Sequence, residues 1–282
     1  MRSDRTTAYC LWTLCMLCGI GFADQAVEDN LERIGATRGI VAIVGTPGGG
    51  AQHVVDLATA SELTIYFQSV DAAEVNEVRA AADAAGLLGR RIFADHGSAA
   101  SIHLADNVAD CILVAADQTP DAELLRALRP RASAFVGERE IVKPVPDGID
   151  EWTHPFHGPD NNPQSTDEHV RGNFRTQFLA DPKFSPMPEQ SVAAGGRVFK
   201  AMGHISHKIN QNEMLNTLLC INAYNGTILW TRPLPEGFML HRNTMIATDD
   251  ALYMGDHESC KVIDAATGEV RREITVPKDI TD

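Results

Sequence analysis

A chain of 282 residues has room for two domains of ordinary size. Its hydrophobic share of 44% and charged share of 22% are those of a folded protein and exclude a disordered one. The formal net charge of −14 excludes nucleic acid and anionic lipid as electrostatic partners, since both need clustered Lys and Arg.

The first residues read as a secretory leader. Arg2 and Arg5 precede an apolar run from Tyr9 to Phe22, and Gly21-Phe22-Ala23 offers small residues for cleavage after Ala23. The run is about 14 residues, too short for a membrane-spanning helix. The expected mature chain is exported to the periplasm or cell envelope, with no transmembrane span. Cys10, Cys15 and Cys18 leave with residues 1–23, so Cys111, Cys220 and Cys260 remain. An odd number without a Cys-x-x-Cys pair speaks against a disulfide framework or a zinc ribbon. Buried free thiols are expected, with a Cys220–Cys260 pair as the alternative.

Residues 28–140 alternate between strand and helix. Ile40 to Val44 is a continuous β-branched run, the mark of a buried parallel strand. A glycine-rich turn, Gly45 to Gly50, and a helix over 51–60 follow. Leu63 to Phe67 is the second strand, and 72–85 a helix stopped by Gly86. Arg91 to Ala94 and Cys111 to Ala115 are further strands. Asp121 to Leu128 is a helix, and Ala132 to Val136 the last strand. The alternation predicts a parallel sheet of Rossmann-like α/β type.

A glycine turn after the first strand lets a ligand approach the backbone, and the next helix start favours negative charge. Gly45-Thr46-Pro47-Gly48-Gly49-Gly50 loosely resembles the first motif of class I methyltransferases. That resemblance implies S-adenosylmethionine held by Gly45, Gly48 and Gly50, with Asp95 against the adenine amine. It also implies a carboxylate at the end of the second strand. Ser69 stands nearest that place, and Asp71 lies two residues late. The departure, together with export away from a cytoplasmic donor, leads to the expectation of a degenerate domain with no catalytic residue.

Residues 141–190 read as a linker and a junction rich in Trp and His. Val142-Lys143-Pro144-Val145-Pro146-Asp147-Gly148 combines extended and turn-forming residues. In the junction His154, His157 and Asp160 either ligate a metal or order the loop around Trp152, and the second reading is preferred; no metal site is expected. His204 and His207 repeat the spacing and are read as solvent-facing or network histidines.

Residues 191–282 carry a repeat. Cys220-Ile221-Asn222-Ala223-Tyr224-Asn225-Gly226 and Val262-Ile263-Asp264-Ala265-Ala266-Thr267-Gly268 each run from strand to turn, and Gly226 and Gly268 are 42 positions apart. Hairpins with Gly195-Gly196 and Asp249-Asp250 at their tips precede them. Each unit therefore predicts a four-stranded blade of an all-β propeller. With Asp150-Glu151-Trp152-Thr153-His154 upstream, this half resembles bacterial envelope proteins with PQQ-binding-like β-propeller repeats. The resemblance implies that Trp230, four positions after Gly226, docks between blades, while Arg272 departs at the matching place. Two blades do not close a ring, so further blades from a longer chain or another subunit are expected.

These observations lead to an exported, non-catalytic binding or scaffold module for a protein or glycan partner. The alternatives are an S-adenosylmethionine-dependent methyltransferase and a fragment of a quinoprotein-type dehydrogenase using pyrroloquinoline quinone.

Overall fold

The computed structural model describes residues 25–115, 118–170, 172–173, 175–235, 244–256 and 259–275. The expected leader lies outside them. The chain divides into two compact units between Lys143 and Pro144.

The first unit opens with a helix, α1 (25–34). The sequence reading missed it, although Val27, Leu31 and Ile34 recur at helical spacing and pack into the core. Then follow β1 (Ile40–Val44), α2 (Gly50–Thr59), β2 (Thr64–Ser69), α3 (Ala72–Ala84), β3 (Ile92–His96), β4 (Ala109–Val114), α4 (Asp121–Ala127), β5 (Leu128–Val136) and β6 (Arg139–Val142). The six strands order as β3-β2-β1-β4-β5-β6, all parallel except β6 against β5. That is the Rossmann-like doubly wound order, with its reversal between β1 and β4. β1 shows why both faces are covered. Val41 and Ile43 join a core with α1, α2 and α3, whereas Ala42 and Val44 join a second core with α4.

β6 is the element the sequence reading placed partly in the linker. Gly137 at φ 60° turns the chain back on β5, so the unit continues through Val142. β5 also starts earlier than expected. Arg129 Nε reaches Asp110 Oδ1 at 2.5 Å, and the other oxygen of Asp110 accepts the Ile40 amide at 2.8 Å.

The second unit holds two four-stranded antiparallel sheets. The first contains β7 (Met187–Ala194), β8 (Arg197–Ile205), β9 (Thr217–Asn222) and β10 (Ile228–Pro233). The second contains β11 (Met245–Ala247), β12 (Ala251–Gly255), β13 (Ser259–Asp264) and β14 (Val270–Thr275). Each is a simple meander in chain order. One core spans both, including Val192, Phe199, Leu218 and Trp230 of the first and Met245, Leu252 and Ile263 of the second. The junction residues Trp152 and Thr153 bridge the two chain-first strands. Trp152 exchanges backbone bonds with Ala193 of β7, and Thr153 O accepts the Ala247 amide of β11 at 2.9 Å.

The repeat is visible bond for bond. Gly226 N donates to Asn222 O and Gly268 N to Asp264 O, both at 2.9 Å. Both glycines have positive φ, 77° and 75°. An added Cβ on Gly268 would lie 2.6 Å from Trp230 Cδ2. Trp230 Nε1 meanwhile donates to Ala265 O at 3.0 Å. Trp230 of the first sheet therefore packs on the last turn of the second. Gly226 is covered in the same manner, by Phe178, whose ring carbons lie 2.8 Å from where its Cβ would be. Among the described residues, no helix is long and apolar enough to cross a membrane.

Candidate functional site

The glycine turn leaves β1 at the carboxyl edge of the parallel sheet, beside the strand-order reversal. Gly45, Gly49 and Gly50 have φ of 78°, 102° and 71°, values a side chain would strain. Gly49 begins α2 without a side-chain cap, and the first helical amide, Gly50 N, donates to Pro47 O at 3.0 Å. Thr46 Oγ1 is buried and has no hydrogen-bond partner among the described residues. An orphaned buried hydroxyl beside a glycine turn is what a bound polar ligand would satisfy.

Two cavities flank the turn. One, of about 270 Å³, lies toward β2 and is lined by Gly45, Thr46, Ser69, Asp71, Glu74 and Ala115, among others. The other, of about 250 Å³, lies toward β5 and includes Asn30, Arg33, Thr46, Gly48, Leu113 and Phe135. Gly45 and Gly48 thus face different cavities, and Gly50 lines neither.

The strand-two carboxylate also has a structural answer. Ser69 Oγ donates to Glu74 Oε2 at 2.5 Å. Glu74 projects from the first turn of α3, where a carboxylate suits the helix start. Asp71 caps that helix by accepting the Ala73 amide at 2.7 Å. A carboxylate thus stands beside Ser69, carried five residues later by the following helix. The sequence signal was a Glu one turn into a helix whose start abuts the expected position.

Asp95 is placed elsewhere. It pairs with Arg79 at 3.3 Å, accepts from the Tyr66 hydroxyl at 3.4 Å, and lines neither cavity. Burial, and then the nearby Asp95 charge, push the Tyr66 phenol well above its ordinary range. Gln68, fully buried, braces the loop after β3: its amide donates to Ser98 O and Ser101 O, and its carbonyl accepts the His103 amide.

The junction histidines have different partners: Thr153 Oγ1 lies 2.8 Å from His154 Nδ1, and His157 Nε2 lies 2.8 Å from Asp150 Oδ2. Among the described residues no group of three potential ligands could hold a metal. Asp150 is the hub instead, accepting from His157 Nε2 at 2.8 Å, Ser165 Oγ at 2.9 Å and the Thr166 amide at 2.7 Å. Burial raises its carboxyl, but these bonds outweigh burial and hold it far below the usual range. Trp152 stacks edge-on against His157 at 5.3 Å, as the loop-ordering reading expects. His204 and His207 are exposed. Cys111, Cys220 and Cys260 are all free thiols.

No family model matches the chain, and no curated protein does, so the propeller-repeat resemblance gains no support from those comparisons. Solved structures similar to it include one described as a sarcosine dimethylglycine methyltransferase from Galdieria sulphuraria (21% identity, 39% of this chain and 44% of that one, TM-score 0.34). Geranyl diphosphate C-methyltransferase from Streptomyces coelicolor is another (11%, 39% and 43%, TM-score 0.35). A third is the [4+2]-cyclase SpnF (20%, 48% and 51%, TM-score 0.35). The chain spans about half or less of each. At such values the likeness bears on no residue of the site, and the Rossmann-like architecture stands on the strand order itself.

Proposed function

We propose that the first unit binds S-adenosylmethionine or its demethylated product in the cavity toward β2. The observation that carries this reading is the Glu74 carboxylate, fixed by Ser69 on the rim opposite the glycine turn. A carboxylate there accepts both hydroxyls of a ribose, while Gly45 leaves the backbone open to the rest of the cofactor. The bound cofactor would supply an electrophilic methyl group; the residues named here hold and orient it.

Titration of S-adenosylhomocysteine into the full chain tests this. Saturable binding is expected, weakened about tenfold or more by Glu74→Gln and several-fold by Ser69→Ala, as fits loss of a charge-assisted bond. A folded chain that binds neither form sinks the reading.

A second reading is favoured by the Trp230–Gly268 dock. It makes the second unit two blades of a quinoprotein-type propeller, completed by further blades, in an exported scaffold. Cleavage after Ala23 with recovery of the chain outside the cytoplasm would support it and would deprive the cofactor site of its donor. An uncleaved cytoplasmic chain would count against it.

A further inference from the structure

The cavity toward β5 is independent of the Glu74 rim, yet it adjoins the cofactor cavity, since Thr46 and Ala115 line both. Its floor is apolar: Ile43, Leu113, Val114 and Phe135. Three polar groups converge over that floor. Arg33 lies with its guanidinium carbon 5.8 Å from the centre of the Phe135 ring. Asn30 donates its amide to His53 Nε2 at 2.8 Å. Burial, partly offset by Asp56, pulls the His53 ring below its ordinary range and keeps it neutral, able to accept that bond. This engages the Asn30 amide with His53, so the donors toward a ligand carboxylate are Arg33 and the Thr46 hydroxyl. The third group is the orphaned Thr46 hydroxyl.

From this arrangement we infer a second ligand subsite, for a small apolar carboxylic acid. The volume has room for a ligand on the order of ten heavy atoms. A flat apolar body fits the floor, and a carboxylate suits the Nη2 side of the Arg33 guanidinium. Arg33 Nη2 now donates to both oxygens of Glu138, at 3.0 and 2.9 Å, and Nη1 donates to Gly137 O at 3.2 Å, but the Glu138 side chain is 91% exposed. An exposed pair of this kind contributes little, so a ligand carboxylate displaces Glu138 at small cost. As an acceptor site for a transferred methyl group the subsite rests on the cofactor reading above; as a binding site it does not.

Benzoate is the probe, titrated into the full chain with and without S-adenosylhomocysteine. Saturable binding is expected, weakened at least tenfold by Arg33→Gln and several-fold by Thr46→Val. Glu138→Gln removes the competing carboxylate and strengthens binding about twofold, an effect in the opposite direction that misfolding does not imitate. Glu74→Gln leaves benzoate affinity unchanged, so failure of the cofactor site is read separately. Absence of benzoate binding, or equal affinity in the wild type and Glu138→Gln, overturns the inference.

Discussion

At the scale of single residues, two positions show how little freedom the second unit allows. Gly268→Ala places a Cβ 2.6 Å from the Trp230 ring at a φ of 75°, so clash and backbone strain add. A loss of about 2 kcal/mol is expected in urea unfolding. Trp230→Ala removes a buried indole and its bond to Ala265 O, with an expected cost of roughly 3–5 kcal/mol. The cysteines give a chemical readout. Burial pushes the Cys111 and Cys220 thiols up to about 12, whereas Cys260 is half-buried. Native alkylation followed by peptide mapping should label Cys260 and spare the other two until the chain unfolds. Gly226 and Gly268 were readable in the sequence because a tight turn needs a residue that tolerates positive φ, whereas Trp230 was singled out only by the resemblance. The placing of Glu74 beside Ser69 was not readable, because a carboxylate can reach the end of β2 from either of two elements, and only the fold reveals which.

At the scale of elements, the turn closing each sheet is built on a side chain at its head. Asn222 Oδ1 accepts the Tyr224 amide, and Asp264 Oδ1 accepts the amides of Ala266 and Thr267. Asp264 differs from Asn222 in charge, and Arg271 answers it with bonds at 2.9 and 2.7 Å. Burial raises the Asp264 carboxyl, but the bonds from Thr267, Arg271 and Ala266 outweigh it and bring it down to about 2. Its folded value thus lies below its unfolded one. The stabilisation is fully present above about pH 4 and is lost as the pH falls through about 2. Asp264→Asn keeps the turn and removes the charge. Its stability curve should be lower at neutral pH and flatter between pH 4 and 2 than that of the wild type, as followed by acid titration of the folded fraction. Equal slopes would rule out Asp264 as the source. The parallel strands were legible as elements because a strand buried on both faces must be continuously apolar. β6 was not, since its burial is slight and its pairing is fixed by Gly137.

At the scale of the whole molecule, the two units have separate cores. Calorimetry should resolve two transitions, and Trp230→Ala should move one of them alone; a single transition shifted as a whole would show coupling. The Rossmann-like sheet and the two four-stranded antiparallel units were legible in the sequence because strand–helix alternation and a 42-residue repeat are long-range patterns. The sequence did not foresee that Phe178, ahead of the first sheet, would seat on Gly226 as Trp230 seats on Gly268. Phe178 precedes its glycine by 48 residues and Trp230 by 38. On a ribosome each ring therefore emerges roughly 2–10 seconds before the turn that receives it. Synthesis delivers the plug before the socket, so each sheet can be sealed as soon as its last hairpin is made.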